Sequence, residues 1–339
     1  NLLPESHFSQ SAPIVRIFTL FHGGTYMSKK VYFSQDGGVD DIISLFLLLQ
    51  MDDVDLIGVG VMGADSYLQP AAEASRKVID RFGHGKKLEV AYSNARAVHP
   101  FPTKWRLDAY SENSLPILNE SGEIKTPKAP LAADDDLIEK LMNSNEPVTL
   151  LFTGPLSDLA SALKKKPEIE DKIAELMWMG GTFQERGNVA EPDCDGTQEW
   201  NAFWDPEAVS AVFSSGIKIT MVALESTHNV PLTPAVRMSW AKDRRYPGID
   251  FIGNSYAFVP ELSMFETNST YFLWDVLTTC ALEDPTLIKQ KTVKCSVYTD
   301  FPRDGRTYLD DNGREAQLVY DVDNKRFFDM IKELGKKAE

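Results

Sequence analysis

Residues 31–62, VYFSQDGGVDDIISLFLLLQMDDVDLIGVGVM, carry the strongest fold signal of the chain. Val31–Phe33 begins a short apolar strand that ends in QDGG, and the apolar run Val39–Gln50 predicts a helix. Val54–Met62 predicts a buried strand, because its residues are almost all apolar or glycine. A strand followed by a helix and then by another buried strand is typical of a parallel sheet covered by helices.

The same alternation continues along the rest of the chain. Further strands are predicted at Lys87–Tyr92, 147–153, Glu175–Met179 and Ile217–Ala223, with short strands near the C-terminus. Further helices are predicted at about 70–82, 135–143, 156–166, 206–214, 256–265, 274–282 and 325–335. Asn94–Ala132, rich in Pro, Asn and Ser, is predicted to be irregular. The predicted fold class is therefore α/β, one large domain with a mostly parallel central sheet flanked by helices.

The composition of the chain excludes several classes of function. The chain has 339 residues, of which 43% are hydrophobic and 25% charged, and its formal net charge is −15. Such an acidic protein is expected to repel nucleic acids and anionic membrane surfaces. Its three cysteines form no C-x-x-C pair, which favours a reducing, cytoplasmic location over a disulfide scaffold. The longest apolar stretch, Ile42–Leu49, is too short to span a bilayer.

The first 26 residues differ from the rest of the chain. They precede Met27, contain an apolar patch interrupted by Arg16, and have neither a basic start nor a convincing cleavage site. We predict that residues 1–26 are an upstream extension or a leader added by cloning, and that the folded domain covers 27–339.

Three carboxylates follow the first predicted strand, in QDGGVDD. Asp36, Asp40 and Asp41 lie within six residues of one another at the expected C-terminal edge of the sheet, where ligands bind in open α/β folds. Carboxylates this close repel one another unless they are protonated or bridged by a cation, and Ca²⁺ or Mg²⁺ prefers such oxygen ligands. The alternative is a capping cluster, since Asp near a helix N-terminus complements the helix dipole.

Three more predicted strand ends or helix starts carry unusual residues. Thr153 stands in FTGP at the end of one strand, and Met179 in MGG at the end of another. The polar loop that follows offers Asn188, Glu199 and Asn201, and Asp275 opens a later helix beside Trp274. Each motif alone has an ordinary structural interpretation, as a turn, a solvated loop or a helix cap.

Taken in order, these motifs resemble the calcium-dependent nucleoside hydrolases, the inosine/uridine-preferring nucleoside hydrolase superfamily. The resemblance covers about nine-tenths of the chain. It is carried by DGGVDD (36–41), VTLLFTGPLSDLA (148–160), MGGTFQERGNV (179–189), EWNAFWDP (199–206) and LWDVLT (273–278). PFPTKWR (100–106) and Trp274 further resemble the purine-specific inosine-adenosine-guanosine branch.

The resemblance implies an N-glycosyl hydrolase that splits purine ribonucleosides into base and ribose. It implies a Ca²⁺ ion held by Asp36, Asp41, the Thr153 carbonyl and Asp275, with Asp36 as general base on water. The implied substrate-binding residues are Asp40, Met179, Asn188, Glu199, Asn201, Asp65, Trp105 and Trp274. Trp105 and Trp274 would enclose the base, and Asp65 would lie near the base edge. It further implies a small-molecule nucleoside as the partner, and a homodimer.

The chain departs from the family pattern near the expected metal. Ser34 stands where the family has the first Asp of the cluster, and Gly38 where an Asn is common. Lys104 replaces an acidic residue before Trp105, and 256–270 contains no histidine to act as leaving-group acid. Two other functions therefore stay open: a nucleoside- or ribose-binding protein with little turnover, and a hydrolase for another nucleoside.

Overall fold

A computed structural model of the chain describes residues 28–259 and 271–338. The described strands form a single sheet with the order β4-β3-β2-β1-β5-β6-β7-β10-β8-β9. They are β1 (Lys29–Gln35), β2 (Val54–Val61), β3 (Val90–Tyr92), β4 (Lys128–Ala132), β5 (Val148–Phe152), β6 (Ile173–Met179), β7 (Ile219–Val222), β8 (Ile288–Val297), β9 (Thr307–Leu309) and β10 (Arg314–Val322).

Helices cover both faces of this sheet. They are α1 (Val39–Gln50), α2 (Leu68–Phe82), α3 (Asp108–Asn113), α4 (Ala133–Asn143), α5 (Ser157–Lys165), α6 (Trp200–Trp204), α7 (Pro206–Phe213), α8 (Leu224–Thr227), α9 (Pro234–Lys242), α10 (Pro247–Ala257), α11 (Trp274–Glu283) and α12 (Asn324–Lys337). None of the helices in the described ranges is both long and apolar enough to cross a membrane.

The sheet separates two cores, and the residues of β1 alternate between them. Val31 and Phe33 belong to one core with side chains of α1, α2, α10, α11 and α12. Tyr32 belongs to the other, with α4, α5 and α7. Successive side chains of a strand point to opposite faces, so a central strand that is apolar throughout supplies both cores. Every residue of α1 is buried, because this helix lies between the sheet and other helices.

The strand order reverses beside β1. The chain runs from β1 through β2 and β3 to β4 on one side, and β5 then pairs with β1 on its other side. These pairings are parallel, as are those of β5 with β6 and of β6 with β7, whereas β8 pairs antiparallel with β10 and with β9. The loops after β1 and β5 therefore diverge and leave a crevice, the usual place for a ligand.

The predicted α/β class with one large, mostly parallel sheet is confirmed, but several predicted segments are wrong in detail. The segment 94–132 is not wholly irregular: it contains α3 and the edge strand β4. An edge strand with one neighbour needs no continuous apolar run, so its pattern is weak. The helix predicted at 256–265 is in fact α10, which ends at Ala257; residues 260–265 lie outside the described residues. The strand predicted from Lys87 begins only at Val90. The expected extension, 1–26, also lies outside the described residues.

Candidate active site

A tight turn at the end of β1 starts the site. Asp36 follows the strand directly, and Gly37 adopts φ +90°, a left-handed conformation that residues with a side chain rarely take. A Cβ atom at Gly37 would also lie 2.5 Å from the Cβ of Ala71 in α2, so the turn has no room for a side chain. The chain then enters α1, whose first turn carries Asp40 and Asp41. The turn therefore presents three buried carboxylates at the crevice.

Asp275, at the start of α11, joins two of these carboxylates. Oxygens of Asp40, Asp41 and Asp275 lie within 4.8 Å of one another, and all three residues are buried. Asp40 is held at both oxygens: the Tyr271 hydroxyl donates to Oδ1 at 2.8 Å, and the Asp275 backbone N–H donates to Oδ2 at 3.0 Å. This carboxylate group is thus built from two helix starts 235 residues apart in sequence.

The loop after β5 completes this side of the crevice. The Thr153 hydroxyl donates to Oδ1 of Asp41 at 2.5 Å, and the Gly38 N–H donates to Oδ2 at 2.8 Å. The Thr153 carbonyl accepts a hydrogen bond from Nδ2 of Asn201 at 2.9 Å. A carbonyl oxygen has two lone pairs, so this bond leaves the second one for a further partner. Thr153 therefore links Asp41 to the first turn of α6.

Asp36 stands beside this group. Its Oδ2 accepts the Asp65 backbone N–H at 3.1 Å, and its Cβ lies only 2.7 Å from where a Cβ of Gly154 would be. The predicted metal ligands were Asp36, Asp41, the Thr153 carbonyl and Asp275. The structure brings Asp41 and Asp275 together with Asp40 as the third carboxylate. The ligand roles of Asp36, Asp41, Asp275 and the Thr153 carbonyl all stay predictions.

Burial and mutual repulsion dominate the electrostatics of this site. Burial, followed by the neighbouring Asp41 charge, raises the pKa of Asp36 well above its ordinary value. Burial and then the charge of Asp40 raise the pKa of Asp41 to about 7, and the same two causes strongly raise the pKa of Asp275. No lysine or arginine in the described ranges forms an ion pair with these carboxylates. Buried carboxylates without a cationic side chain fit a hard divalent metal ion, which supplies the missing charge.

The MGG turn after β6 and the start of α6 form the opposite wall. Nδ2 of Asn201 donates to the Met179 carbonyl at 3.0 Å as well as to Thr153, which ties the ends of β5 and β6 together. The Glu199 carboxylate caps α6 and accepts the N–H groups of Asn201 at 3.0 Å and Ala202 at 3.2 Å. It also accepts the N–H of Gly181 at 2.8 Å. Burial nevertheless raises the pKa of Glu199 to about 7.

Asn188 lies on the same wall, where its Oδ1 accepts the Trp200 N–H at 3.0 Å. The structure thus connects Met179, Asn188, Glu199 and Asn201 through α6 and the turn before it. Their assignment to ribose binding stays a prediction.

The two tryptophans predicted to enclose a base belong to different aromatic groups. The ring of Trp105 is 5.6 Å from that of Trp200, edge to face, and the ring of Trp274 is 4.7 Å from that of Tyr271. No ring contact joins Trp105 to Trp274 in the part of the chain that the structure describes. The Trp274 indole N–H is buried and meets no acceptor among those residues.

Sequence reasoning missed Tyr271, which binds Asp40 directly. An aromatic residue four positions before Asp275 resembles an ordinary core residue, and its hydroxyl carried no signal of its own. It also missed that Asp65, expected near a base edge, lies directly over Gly38 beside the carboxylates.

Comparison with known proteins agrees with this fold. The family of inosine-uridine preferring nucleoside hydrolases matches residues 31–329. The chain therefore belongs to that family, whose members are N-glycosyl hydrolases and depend on a metal ion. The described Asp40, Asp41 and Asp275 form a cluster able to bind such an ion.

Individual relatives differ in their named specificity. The structure of an inosine-uridine preferring nucleoside hydrolase from Bacillus anthracis is 55% identical, with a TM-score of 0.88 over 91% of this chain and 99% of that one. A purine-preferring ribonucleoside hydrolase from Gardnerella vaginalis is 25% identical, with a TM-score of 0.75 over the same shares. Two curated relatives match over less than two thirds of their own length. An inosine-uridine preferring hydrolase from Leishmania major is 30% identical over 62% of this chain and 65% of its own. A pyrimidine-specific ribonucleoside hydrolase from Escherichia coli is 29% identical over 61% and 63%.

Proposed function

We propose that this protein hydrolyses the N-glycosidic bond of ribonucleosides, that it prefers purine nucleosides, and that Ca²⁺ is its metal ion. The observation that carries the proposal is the buried group of Asp40, Asp41 and Asp275 at the point where the strand order reverses. Family membership supports the reaction type. The named relatives include both purine-preferring and pyrimidine-specific enzymes, so purine preference rests on Trp105 and Trp274 alone.

The reaction needs a group that removes a proton from water and surroundings that stabilise a sugar cation. The bond breaks through an oxocarbenium-like ribosyl cation, whose positive charge nearby carboxylates stabilise. Asp36, Asp41, Asp275 and the Thr153 carbonyl would hold the calcium ion, which when bound would lower the pKa of a nearby water. Asp36 then accepts the proton of the attacking water, while Asp40 accepts a hydrogen bond from a ribose hydroxyl.

The wall opposite the carboxylates orients the sugar in this proposal. Asn188, Glu199 and Asn201 are joined by hydrogen bonds to one short helix, so they form a firm surface rather than a loose loop. Trp105 and Trp274 stack on the departing base, whose proton comes from solvent, from Asp65 or through the stacked environment. The homodimer and the cytoplasmic location stay predictions.

A nucleoside panel tests the reaction. Inosine, adenosine, guanosine, uridine and cytidine are incubated with the protein, with calcium or with a chelator, and free base and free ribose are both measured. We expect both products from purine nucleosides, with calcium required. Binding without release of ribose would instead favour a nucleoside-binding protein, and faster release from uridine would favour a pyrimidine nucleoside hydrolase.

Asp36→Asn tests the general base. We expect kcat to fall by about 10²–10⁴-fold, since removing a general base typically costs that much. Calcium binding, measured by calorimetry, should persist because the amide retains one oxygen. Asp52→Asn, at an exposed position, is the matched control. A near-native rate for Asp36→Asn with calcium bound would show that another group is the base.

Trp105→Ala tests the stacking role. We expect a larger loss of rate on inosine than on p-nitrophenyl riboside, whose leaving group needs no proton. Equal losses on both substrates would mean that Trp105 only positions the ribose or closes the site. A fall in thermal stability without any dependence on the leaving group would mean that it only packs the segment that contains it.

A further inference from the structure

Strand β9 begins with a threonine whose hydroxyl binds the backbone of a distant turn. Oγ1 of Thr307 accepts the Thr182 N–H at 2.9 Å and donates to the Thr182 carbonyl at 2.7 Å. In the order of the sheet, β9 is the fourth strand from β6, whose following turn contains Thr182. Four strand spacings amount to about 19 Å across a flat sheet. The start of β9 therefore curls back over the end of the sheet to make these two bonds.

The turn that Thr307 holds belongs to the wall of the crevice opposite the carboxylates. Gly181, which precedes Thr182, adopts φ +75° and donates its N–H to Oε2 of Glu199 at 2.8 Å. A Cβ atom at Gly181 would lie 3.0 Å from Oγ1 of Thr307 and 2.7 Å from Cε of Met221. The absence of a side chain at Gly181 therefore allows the Thr307 hydroxyl to approach the turn this closely.

The Gly181 N–H is the contact that joins Glu199 to the end of β6. The other N–H groups that donate to Glu199, those of Asn201 and Ala202, belong to α6, the helix that Glu199 caps. These two bonds fix the Glu199 carboxylate relative to its own helix. Only the bond from Gly181 fixes it relative to the turn, whose position depends on the neighbouring Thr182.

The Thr307 hydroxyl satisfies both backbone groups of a buried residue. Thr307 is 1% exposed and Thr182 is 2% exposed. Without the hydroxyl, the N–H and the carbonyl of Thr182 would lose these bonds in a place that water reaches poorly. Because buried backbone groups need partners, the turn would have to move to find others.

The residues between β8 and β9 are themselves held against α6. A Cβ atom at Gly305 would lie 2.5 Å from the Cα of Phe203, so the two backbones are in close contact. Nε2 of Gln198 also donates to the Pro302 carbonyl at 2.8 Å. These contacts keep the start of β9 at a set distance from α6, and the Thr307 hydroxyl can therefore act as a fixed support for the turn.

We infer that Thr307 is a positioning residue for the reaction: its hydroxyl fixes the turn after β6 and, through the Gly181 N–H, the direction of the Glu199 carboxylate. This inference rests on the proposed function, in which Glu199 orients the sugar. Thr307 acts through Gly181 and Glu199 and makes no contact of its own with the substrate.

Two substitutions of Thr307 separate the hydroxyl from the methyl group. Thr307→Val removes the hydroxyl and keeps the shape, whereas Thr307→Ser keeps the hydroxyl and removes the methyl group. We expect kcat/KM for inosine to fall by about 10- to 100-fold in Thr307→Val, because displacing a positioned group by about 1 Å can cost up to about 100-fold. Thr307→Ser should keep most of the wild-type value. Equal losses in the two variants would overturn the inference, since packing rather than the hydroxyl would then matter.

Hydrogen exchange measures the turn without any need for activity. Thr307→Val should speed the exchange of the Gly181 and Thr182 amide hydrogens, and Thr307→Ser should exchange like the wild type. Thr126→Val is the matched control, because it removes a buried threonine hydroxyl that donates to Asp80 at 2.7 Å, near the C-terminal end of α2. We expect Thr126→Val to lower the melting temperature but to leave kcat/KM and the exchange at the turn unchanged.

A double-mutant cycle tests the route through Glu199. Glu199→Ala removes the group that Thr307 positions, so adding Thr307→Val should reduce kcat/KM little further. If Glu199→Ala does not fold because α6 loses its cap, Glu199→Asp takes its place, since its shorter side chain withdraws the carboxylate. Losses that multiply in the double variant would show that Thr307 acts by another route.

The outcomes distinguish this inference from the proposed function. If the wild type releases no ribose from any nucleoside, the proposed function fails and the inference fails with it. If the wild type is active and Thr307→Val keeps its kcat/KM, only the inference is wrong. A Thr307→Val protein with faster exchange at the turn but wild-type kcat/KM would also overturn it, because the turn would then move without any consequence for the reaction.

Discussion

Replacing Tyr271 by Phe removes one oxygen atom from the site and leaves the ring in place. That oxygen is the donor of the 2.8 Å hydrogen bond to Oδ1 of Asp40, whose other oxygen is held by the Asp275 N–H. The ring of Tyr271 packs edge to face on Trp274, and this packing does not depend on the hydroxyl. The change therefore tests whether both oxygens of Asp40 must be held in place for Asp40 to bind the ribose hydroxyl.

The size of the effect follows from the type of bond. A hydrogen bond to a charged group contributes about 1.5–3 kcal/mol, and about 1.4 kcal/mol corresponds to a factor of ten. Once Asp40 is free to rotate away from the sugar, we expect kcat/KM for inosine to fall by about 10- to 100-fold. A misplacement of about 1 Å at a reacting centre can cost a similar factor.

Steady-state kinetics with inosine, combined with thermal melts, measure this effect, and Tyr256→Phe is its matched control. The Tyr256 hydroxyl is buried but has no hydrogen-bond partner among the described residues, so its removal should leave kcat/KM unchanged. Both tyrosines are next to the same core, and their ring centroids are 6.1 Å apart. A wild-type kcat/KM for Tyr271→Phe, or an equal loss for Tyr256→Phe, would refute the reasoning.

Two further predictions concern stability. Burial raises the pKa of Glu112 to about 8, whereas an unfolded Glu titrates near about 4.3. Between these two pKa values the folded protein keeps a proton on Glu112 that the unfolded chain has released. The contribution of Glu112 to stability is therefore complete below about pH 4 and is lost as the pH rises through 8. Glu112→Gln should therefore raise the free energy of unfolding relative to the wild type by up to about 5 kcal/mol at pH 9 and by little at pH 4. Urea melts at the two pH values measure this difference. An equal difference at both pH values would contradict the prediction. Asn201→Ala removes the two bonds to the Thr153 and Met179 carbonyls and should destabilise the protein by about 1–3 kcal/mol, read from denaturant melts with calcium absent. An unchanged melting midpoint would show that water replaces both bonds.

The apolar periodicity of the chain was enough to predict the layers of the fold. Strand β1 and helix α1 follow directly from the continuous apolar runs around the QDGG turn, because a buried strand and a buried helix have few polar residues. The same logic fails for α3 and β4, in which only a few residues are buried. The hydrophobic pattern of a sequence reflects which residues are buried, so an element that is only half-buried leaves a weak pattern.

The type of sheet, the turn after β1 and the residue types that a metal site needs all follow from the order of amino acids along the chain. Which carboxylates meet follows only from the packing of the chain: Asp275, from a helix far along the chain, joins Asp40 and Asp41, and Asp36 lies beside Asp41. The packing also decides that Tyr271 holds Asp40 and that Asp65 fills the space over Gly38. The reason is physical, since the order of residues along the chain sets which groups are available, whereas the packing of parallel strands and helix starts around one crevice sets the distances between them.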